Sequence, residues 1–293
     1  MKNLPIIIVT AIITAALIYF FTLNNENRGI KVSQSYQTKE GAYDRVLRTG
    51  KIRCGYFIEY PFTFQNLENG QLEGIIPDLM NVISEDTGLE VIWAEEMNAS
   101  TMIEGLNTKR YDALCAGIMV LASRAHLMQH SVPFIYTPLF AYVRKEDNRF
   151  DNDIFKANNS KYKIIGLDGS GKTLLALKAF KNANISLLPQ FSSFAELFIN
   201  VADKKADMTF TIPAEFQKYN ESNPNKLKQV GLFETIPIGF CYQKNETSLK
   251  NMFDTLFVTY ISDGTLDKII DKWEDYPDSF YRAAKPFEAG EGR

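Results

Sequence analysis

Short apolar runs alternate along the chain with longer stretches in which apolar residues recur every three or four positions. The runs at residues 89–93 and 163–167 are predicted to form buried strands, and the stretch at 173–182 is predicted to form a helix. Strands and helices that alternate at this spacing build a parallel sheet with helices on its faces. The pattern therefore predicts an α/β fold.

The same order of elements starts again after residue 144, beyond a polar linker predicted at residues 147–162. In each part a basic residue and an aspartate stand just before an apolar strand, at residues 110–112 and at residues 205–207. A partial repeat of this length is too long for a solenoid unit. It predicts two lobes of similar build.

The first 24 residues differ from the rest of the chain. Residues 5–23 carry no charge, and as a helix they would reach about 28 Å, close to the thickness of a bilayer's hydrocarbon core. We expect residues 1–24 to form an uncleaved transmembrane anchor, with a cleaved signal segment as the alternative. The polar residues 25–42 would then be a tether between the membrane and an exported domain.

Composition places the remaining chain among ordinary globular proteins. The sequence has 293 residues, of which 45% are hydrophobic, and this suffices for two domains with separate cores. The net charge is −3 and no basic stripe is present, so we expect no nucleic-acid partner.

Cysteine and histidine usage predicts no metal site and no cofactor. Cys54, Cys115 and Cys241 are odd in number and widely spaced, so we expect buried free thiols and neither a disulfide framework nor a zinc site. His126 and His130 lie four positions apart, but no third ligand accompanies them. No nucleophile, base and orienting residue can be combined, so we predict no catalytic residues.

The candidate chemistry centres on Arg124. The strand predicted at residues 113–116 ends at Gly117, and the weakly polar loop beyond it carries this guanidinium. Open α/β sheets bind ligands in the crevice outside the carboxyl ends of their strands. Guanidinium groups bind carboxylates with two parallel hydrogen bonds. We therefore expect Arg124 to bind a small anion.

Residues 166–173, with the sequence G-L-D-G-S-G-K-T, match the phosphate-binding-loop pattern G-x-x-x-x-G-K-[ST] between a predicted strand and helix. The match leaves three alternatives open: a P-loop NTPase, an anion-binding loop, or a plain turn. No apolar run ending in a magnesium-binding aspartate accompanies the loop, and an exported domain would lack ATP. We favour anion binding by this loop.

Several short motifs, taken in order, resemble the extracellular solute-binding proteins of family 3, the amino-acid-binding receptors of ATP-driven importers. The resemblance covers about residues 43–275. It is carried by Gly55 with Tyr60-Pro61-Phe62-Thr63-Phe64; Leu72-Glu73-Gly74 with Pro77-Asp78-Leu79; Tyr111-Asp112-Ala113 with Ala116-Gly117 and Ser123-Arg124; Tyr142-Val143-Arg144-Lys145; and Asp263-Gly264-Thr265-Leu266 with Trp273.

The resemblance implies the type II periplasmic-binding-protein fold, in which two α/β lobes are joined by two crossing strands, here near residues 141–146 and 234–240. The implied boundaries are 43–143 plus 236–280 for the first lobe, 147–234 for the second lobe, and 281–293 for a tail. Ligand would bind between the lobes.

The resemblance also implies individual site residues. Arg124 stands where the family's arginine binds the ligand carboxylate, Tyr60 where an aromatic ring covers the ligand, and Gly117 where the backbone contacts it. The glycine-rich loop and the helix start that meet the carboxylate correspond here to Ser170, Gly171, Lys172 and Thr173. The remaining implied contacts are Phe57, Met119, Thr211 and Ile212.

Four of these residues depart from the family's pattern. Met119 replaces a hydroxyl residue, Phe57 replaces an acid, and Thr211 and Ile212 lie where an acid would bind the α-ammonium of an amino acid. An ammonium buried without a partner costs several kcal/mol. The site therefore favours a carboxylate with an apolar or aromatic body, unless Glu215 or Asp168 serves as the partner of an ammonium.

These features predict an extracytoplasmic receptor that closes around a small carboxylate-bearing ligand. Its implied partner is an ABC permease or a membrane signalling protein, and the transport ATPase would be a separate subunit. Some similar proteins instead dehydrate ring carboxylic acids such as prephenate or arogenate. An exported dehydratase is therefore the alternative, with Glu215 as its candidate acid.

Overall fold

The computed structural model describes residues 14–16, 18–20 and 40–284, and it divides the chain into the units Met1–Glu40 and Gly41–Arg293. Residues 14–16 and 18–20 of the first unit are helical and exposed. None of the helices within the described residues has the length and apolar character needed to span a bilayer. The predicted anchor or signal segment and the predicted tether lie largely outside the described residues.

The second unit contains twelve strands and eight α-helices within its described residues. The strands are β1 (Lys51–Tyr56), β2 (Phe64–Gln65), β3 (Leu72–Glu73), β4 (Glu90–Glu96), β5 (Ala113–Met119), β6 (Met128–His130), β7 (Ile135–Arg144), β8 (Lys163–Leu167), β9 (Asn184–Leu188), β10 (Met208–Thr211), β11 (Leu227–Gln243) and β12 (Tyr281–Arg282). The helices are α1 (Ala42–Thr49), α2 (Ile75–Thr87), α3 (Met102–Asn107), α4 (Gly171–Ala179), α5 (Phe194–Ala202), α6 (Pro213–Ser222), α7 (Thr247–Ser262) and α8 (Thr265–Trp273).

One sheet of ten strands runs through this unit in the order β4-β1-β5-β11-β7-β10-β8-β9, with β6 paired to β11 and β12 paired to β7. Strands β4, β1 and β5 are parallel on one side, and β10, β8 and β9 are parallel on the other. The long antiparallel strands β7 and β11 join the two sides. The predicted two-lobe fold with two crossing strands is confirmed.

Local sequence signals explain where several helices begin and end. The Ser193 side chain caps α5 by accepting a hydrogen bond from the Glu196 backbone N–H. The Glu196 side chain accepts one from the Ser193 backbone N–H, and the two bonds form a capping box. Helix α2 ends at Gly88, whose φ of 71° lies in the left-handed region that glycine adopts at low cost. Buried apolar residues on one face of α5, such as Phe198, pack this helix onto the sheet.

Three element predictions need correction. Strand β5 continues through Gly117 to Met119, because the glycine leaves room for the Phe62 ring and an added Cβ would lie only 2.8 Å from that ring. Strand β11 runs from Leu227 to Gln243 and is therefore much longer than the crossing segment predicted near residues 234–240. The predicted polar linker contains a 3-10 helix, Ile154–Ala157, and buries apolar side chains in the core.

The cysteine prediction is wrong for two of the three thiols. Cys54 on β1 and Cys115 on β5 form a disulfide across two adjacent parallel strands, with their Cα atoms 5.3 Å apart. Cys241 is free and buried, and burial raises the pKa of its thiol. A disulfide is typical of an oxidising compartment outside the cytoplasm.

Candidate ligand-binding site

A cavity of about 430 Å³ lies between the two lobes. One wall comes from the loop after β1 and from the end of β5, and the opposite wall comes from the loop after β8, the start of α4 and residues 190–194. This volume is in the range of sites that enclose small molecules. The wall is largely apolar, with a few charged groups.

Arg124 ends the short 3-10 helix Ala122–Arg124 that follows β5. Its side chain lines the cavity, and the residue is only 8% exposed. Its Nη2 donates a 3.0 Å hydrogen bond to the Gly169 carbonyl oxygen of the other lobe. Burial lowers the pKa of the guanidinium, but an arginine keeps its charge in proteins. No acidic side chain among the described residues lies within ion-pair distance of it.

The glycine-rich loop opens α4 at the cavity. The Ser170 side chain accepts a hydrogen bond from the Thr173 backbone N–H and thereby caps the helix. Gly171 packs so closely on Met119 that an added Cβ would lie 2.6 Å from the Met119 sulfur. The positive end of this helix therefore contributes to the cavity wall, which favours anions there.

Lys172 joins both lobes through charged contacts. Its Nζ lies 2.6 Å from Glu215 Oε1, 3.1 Å from Glu59 Oε1 and 4.0 Å from the centre of the Phe194 ring. Burial lowers the pKa of this ammonium, but the two carboxylates outweigh burial and raise it. Burial also raises the pKa of Glu215 well above its ordinary value. We call Glu59, Lys172 and Glu215 the charged triad.

Eight of the predicted site residues line the cavity: Phe57, Gly117, Met119, Arg124, Ser170, Gly171, Lys172 and Ile212. Three predicted residues are not part of its wall: Tyr60, Thr173 and Thr211. Tyr60 instead donates a hydrogen bond to Asp275, and Thr173 and Thr211 are buried. Phe191 and Phe194 supply aromatic wall that the sequence did not single out. That any of these residues binds a ligand stays a prediction.

Glu59 was missed by reasoning from the sequence. The acid expected directly after β1 is replaced by Phe57, but Glu59 lies two positions further and reaches the same cavity. Its partner Lys172 is 113 residues away in the chain. Glu59 and Lys172 meet only because the fold places the two lobes next to each other.

The structure argues against the P-loop alternative. The loop does follow a strand and open a helix, as the pattern requires. However, the lysine of a phosphate-binding loop must reach the phosphates, and Lys172 is engaged by two carboxylates. Those carboxylates would repel a polyphosphate.

His126 and His130 also fail as a metal pair. His126 is exposed in the loop before β6, and His130 lies on β6, so the two are not on one face of a helix. No group of three potential metal ligands occurs within the described part of the chain.

The fold and the interlobe cavity define a class of protein: a two-lobe α/β binding protein of the type II periplasmic kind. The sequence profile of the bacterial extracellular solute-binding proteins, family 3, matches residues 52–276, and the chain belongs to this family.

Two relatives and one solved structure illustrate the similarity. A probable amino-acid ABC transporter-binding protein of Haemophilus influenzae is 24% identical over 237 residues, which cover 80% of this chain and 88% of the relative. A probable histidine-binding protein of Campylobacter jejuni is 23% identical, with coverage of 82% and 91%. The crystal structure of the ancestral amino acid-binding protein AncCDT-1, a precursor of cyclohexadienyl dehydratase, has 24% identity, a TM-score of 0.67 and coverage of 78% and 98%.

Proposed function

We propose that this protein is a receptor that closes around a small carboxylate-bearing solute, an amino acid or an apolar organic acid, and presents it to an ABC permease or a membrane sensor. Arg124 carries the proposal. It is a buried cation in the cavity wall without an acidic partner among the described residues. A ligand carboxylate would supply the missing negative charge through two charge-assisted hydrogen bonds.

The proposed mechanism is a hinge motion about β7 and β11. Polar contacts connect the lobes across the cavity, among them Arg124 with Gly169 and Lys172 with Glu59. A solute that touches both walls stabilises the closed form by the contacts it gains there. The permease or sensor would then recognise the closed shape.

Native mass spectrometry of the purified protein tests this proposal. We expect a fraction of the molecules to carry an added mass that collision releases as a small carboxylic acid. The Arg124→Ala variant should be purified without this mass, whereas Arg110→Ala, at an exposed arginine paired with Glu95, should retain it. A retained solute in Arg124→Ala would contradict the proposal.

A dehydratase is the second candidate function, and Glu215 is the observation that favours it. Burial raises the pKa of this carboxyl well above its ordinary value, which is the direction that a general acid requires. Glu215 contacts Lys172 and is not part of the cavity wall, so its carboxyl would have to move into the cavity to protonate the leaving hydroxyl of a ring acid such as prephenate. The hydroxyl would then depart as water, and the ring carboxylate would leave as carbon dioxide.

Incubation with prephenate or arogenate separates the two candidates. A receptor returns the acid unchanged, whereas a dehydratase produces an aromatic product that absorbs ultraviolet light. Product formed by the wild type and lost in Glu215→Gln would replace the receptor proposal. We expect no product.

We also propose that the amino-terminal segment keeps the receptor at the membrane. The uncharged run at residues 5–23 supports this proposal by its length and composition. Alkaline extraction of membranes from cells that produce the full chain is the test. The chain should stay in the pellet at its full mass, and a shortened chain in the soluble fraction would indicate a cleaved signal segment.

A further inference from the structure

We propose that Lys172 takes the place of a ligand ammonium, so that the site selects 2-oxo or 2-hydroxy carboxylic acids over the corresponding amino acids. This inference rests on the proposed function, because it names the ligand class of the same cavity. It depends on the contacts of the charged triad.

The Lys172 ammonium is held in the cavity wall by several side chains. The residue is 8% exposed, and its Nζ is held by Glu215 on α6 and by Glu59 in the loop after β1. The Phe194 ring covers the same ammonium at 4.0 Å. Contacts from three separate segments therefore fix one cation beside the ligand space.

The acids that a ligand ammonium would need, the buried Glu215 and the half-buried Glu59, are already engaged. Glu59 and Glu215 both bind Lys172, and Glu215 Oε2 is buried without a partner and does not belong to the cavity wall. The other acids of the wall, Glu96 and Asp168, are exposed to solvent. A second ammonium would thus meet a like charge without gaining a buried carboxylate, which is unfavourable where water is excluded.

Hydrogen-bond chemistry leads to the same ligand class. An ammonium has three donors and no acceptor, and the two carboxylates use two of the donors on Lys172. The third donor can bind a carbonyl or hydroxyl oxygen, but it cannot bind another ammonium. An oxygen on the carbon next to the ligand carboxylate therefore satisfies Lys172, while the carboxylate itself binds Arg124.

The rest of the wall selects the body of the ligand. Phe57, Met119, Phe191 and Ile212 present apolar surface to the cavity. Apolar groups that enter such a space are stabilised by the area that they remove from water. The expected ligands therefore have an aromatic or branched aliphatic side chain.

Matched pairs of ligands test the inference by titration calorimetry on the full chain. Phenylpyruvate and phenyllactate are compared with phenylalanine, and 4-methyl-2-oxopentanoate is compared with leucine. We expect the oxo or hydroxy acid of each pair to bind at least tenfold more tightly than the amino acid. In Lys172→Met the two glutamates are free to bind an ammonium, so this ratio should shift by at least tenfold toward the amino acid.

Lys178→Met is the matched control, because Lys178 is an exposed lysine on the same helix, and it should keep the wild-type ratio. Circular dichroism establishes whether both variants are folded. If Lys172→Met does not fold, the ratio of oxo-acid to amino-acid affinity in the wild type still tests the inference. Amino acids that bind the wild type as tightly as their oxo acids would overturn this inference and leave the proposed function intact. A Lys172→Met ratio equal to that of the wild type would also overturn it. If neither series binds, the proposed function fails as well.

Discussion

Lys172 on α4 and Glu59 in the loop after β1 form an ion pair of 3.1 Å that connects the two lobes across the cavity. Both side chains are partly or fully withdrawn from water, so solvent screens the attraction less than it screens a surface pair. The pair closes the wall next to the start of α4. The receptor thus has an internal contact that favours the closed form.

Removal of this contact should shift the protein toward its open form. We expect Glu59→Gln to have a larger radius of gyration than the wild type in small-angle X-ray scattering without ligand. Glu68→Gln, at an exposed loop glutamate, should scatter like the wild type. Equal radii for all three proteins would show that the ion pair does not bias the hinge.

Glu215 should make stability depend on pH. Burial raises the pKa of its carboxyl well above the ordinary 4.5, so the folded chain binds this proton more tightly than the unfolded chain. Folding is therefore most favoured at and below pH 4.5, and this contribution is lost as the pH rises from there through the folded pKa.

The Glu215→Gln variant has no carboxyl group to ionise at this position. The difference between its melting temperature and that of the wild type should therefore shift in favour of the variant as the pH rises from 5 to 8. Thermal unfolding followed by circular dichroism measures the difference at each pH. A constant difference across this range would show that Glu215 does not titrate there. Glu221→Gln, at an exposed glutamate of the same helix, serves as the control.

The Cys54–Cys115 disulfide should contribute to stability because it restricts the unfolded chain. Its closed loop has a sequence separation of 61 residues, and bridges of this kind stabilise proteins by about 2–4 kcal/mol. We expect reduction, or the Cys54→Ala and Cys115→Ala double variant, to lower the free energy of unfolding by about this amount. When the unreduced chain is unfolded and its free thiols are titrated, one reactive thiol, that of Cys241, should be found. Three reactive thiols would show that the disulfide is not formed.

Gly117→Ala should disturb the cavity through Phe62. The added Cβ would lie 2.8 Å from the Phe62 ring, so the ring or the strand must move. We expect a loss of about 1–3 kcal/mol in the free energy of unfolding, the usual cost of overpacking. Phe62→Leu in the same chain should recover part of the loss. An additive effect of the two substitutions would show that the contact is not the cause.

The sequence predicted the parts of this molecule that depend on neighbouring residues. The alternation of apolar runs with helical stretches predicted the α/β sheet, and strand β8 occupies the predicted residues 163–167. The loop after β5 placed Arg124 at the carboxyl end of a strand, where the structure also has it at the cavity. The order of the short motifs along the chain indicated the family, and the resemblance to this family predicted the two crossing strands.

The features that the sequence did not predict depend on residues far apart in the chain. Cys54 and Cys115 form a bridge because β1 pairs with β5, and spacing alone could not indicate that pairing. The charged triad joins segments from both lobes, so no local pattern announces it. Tyr60 illustrates the converse: its motif suggests a ligand contact, but its hydroxyl binds Asp275.

The affinity of Arg124→Ala for a carboxylate ligand is the most direct test of the central claim, that this buried cation binds the ligand's negative charge. Titration calorimetry compares the wild type, Arg124→Ala and the control Arg110→Ala with the best ligand of the matched series. We predict that Arg124→Ala binds at least 100-fold more weakly, since a charge-assisted bidentate contact is lost, and that Arg110→Ala binds normally. An unchanged affinity in a folded Arg124→Ala protein would contradict the account.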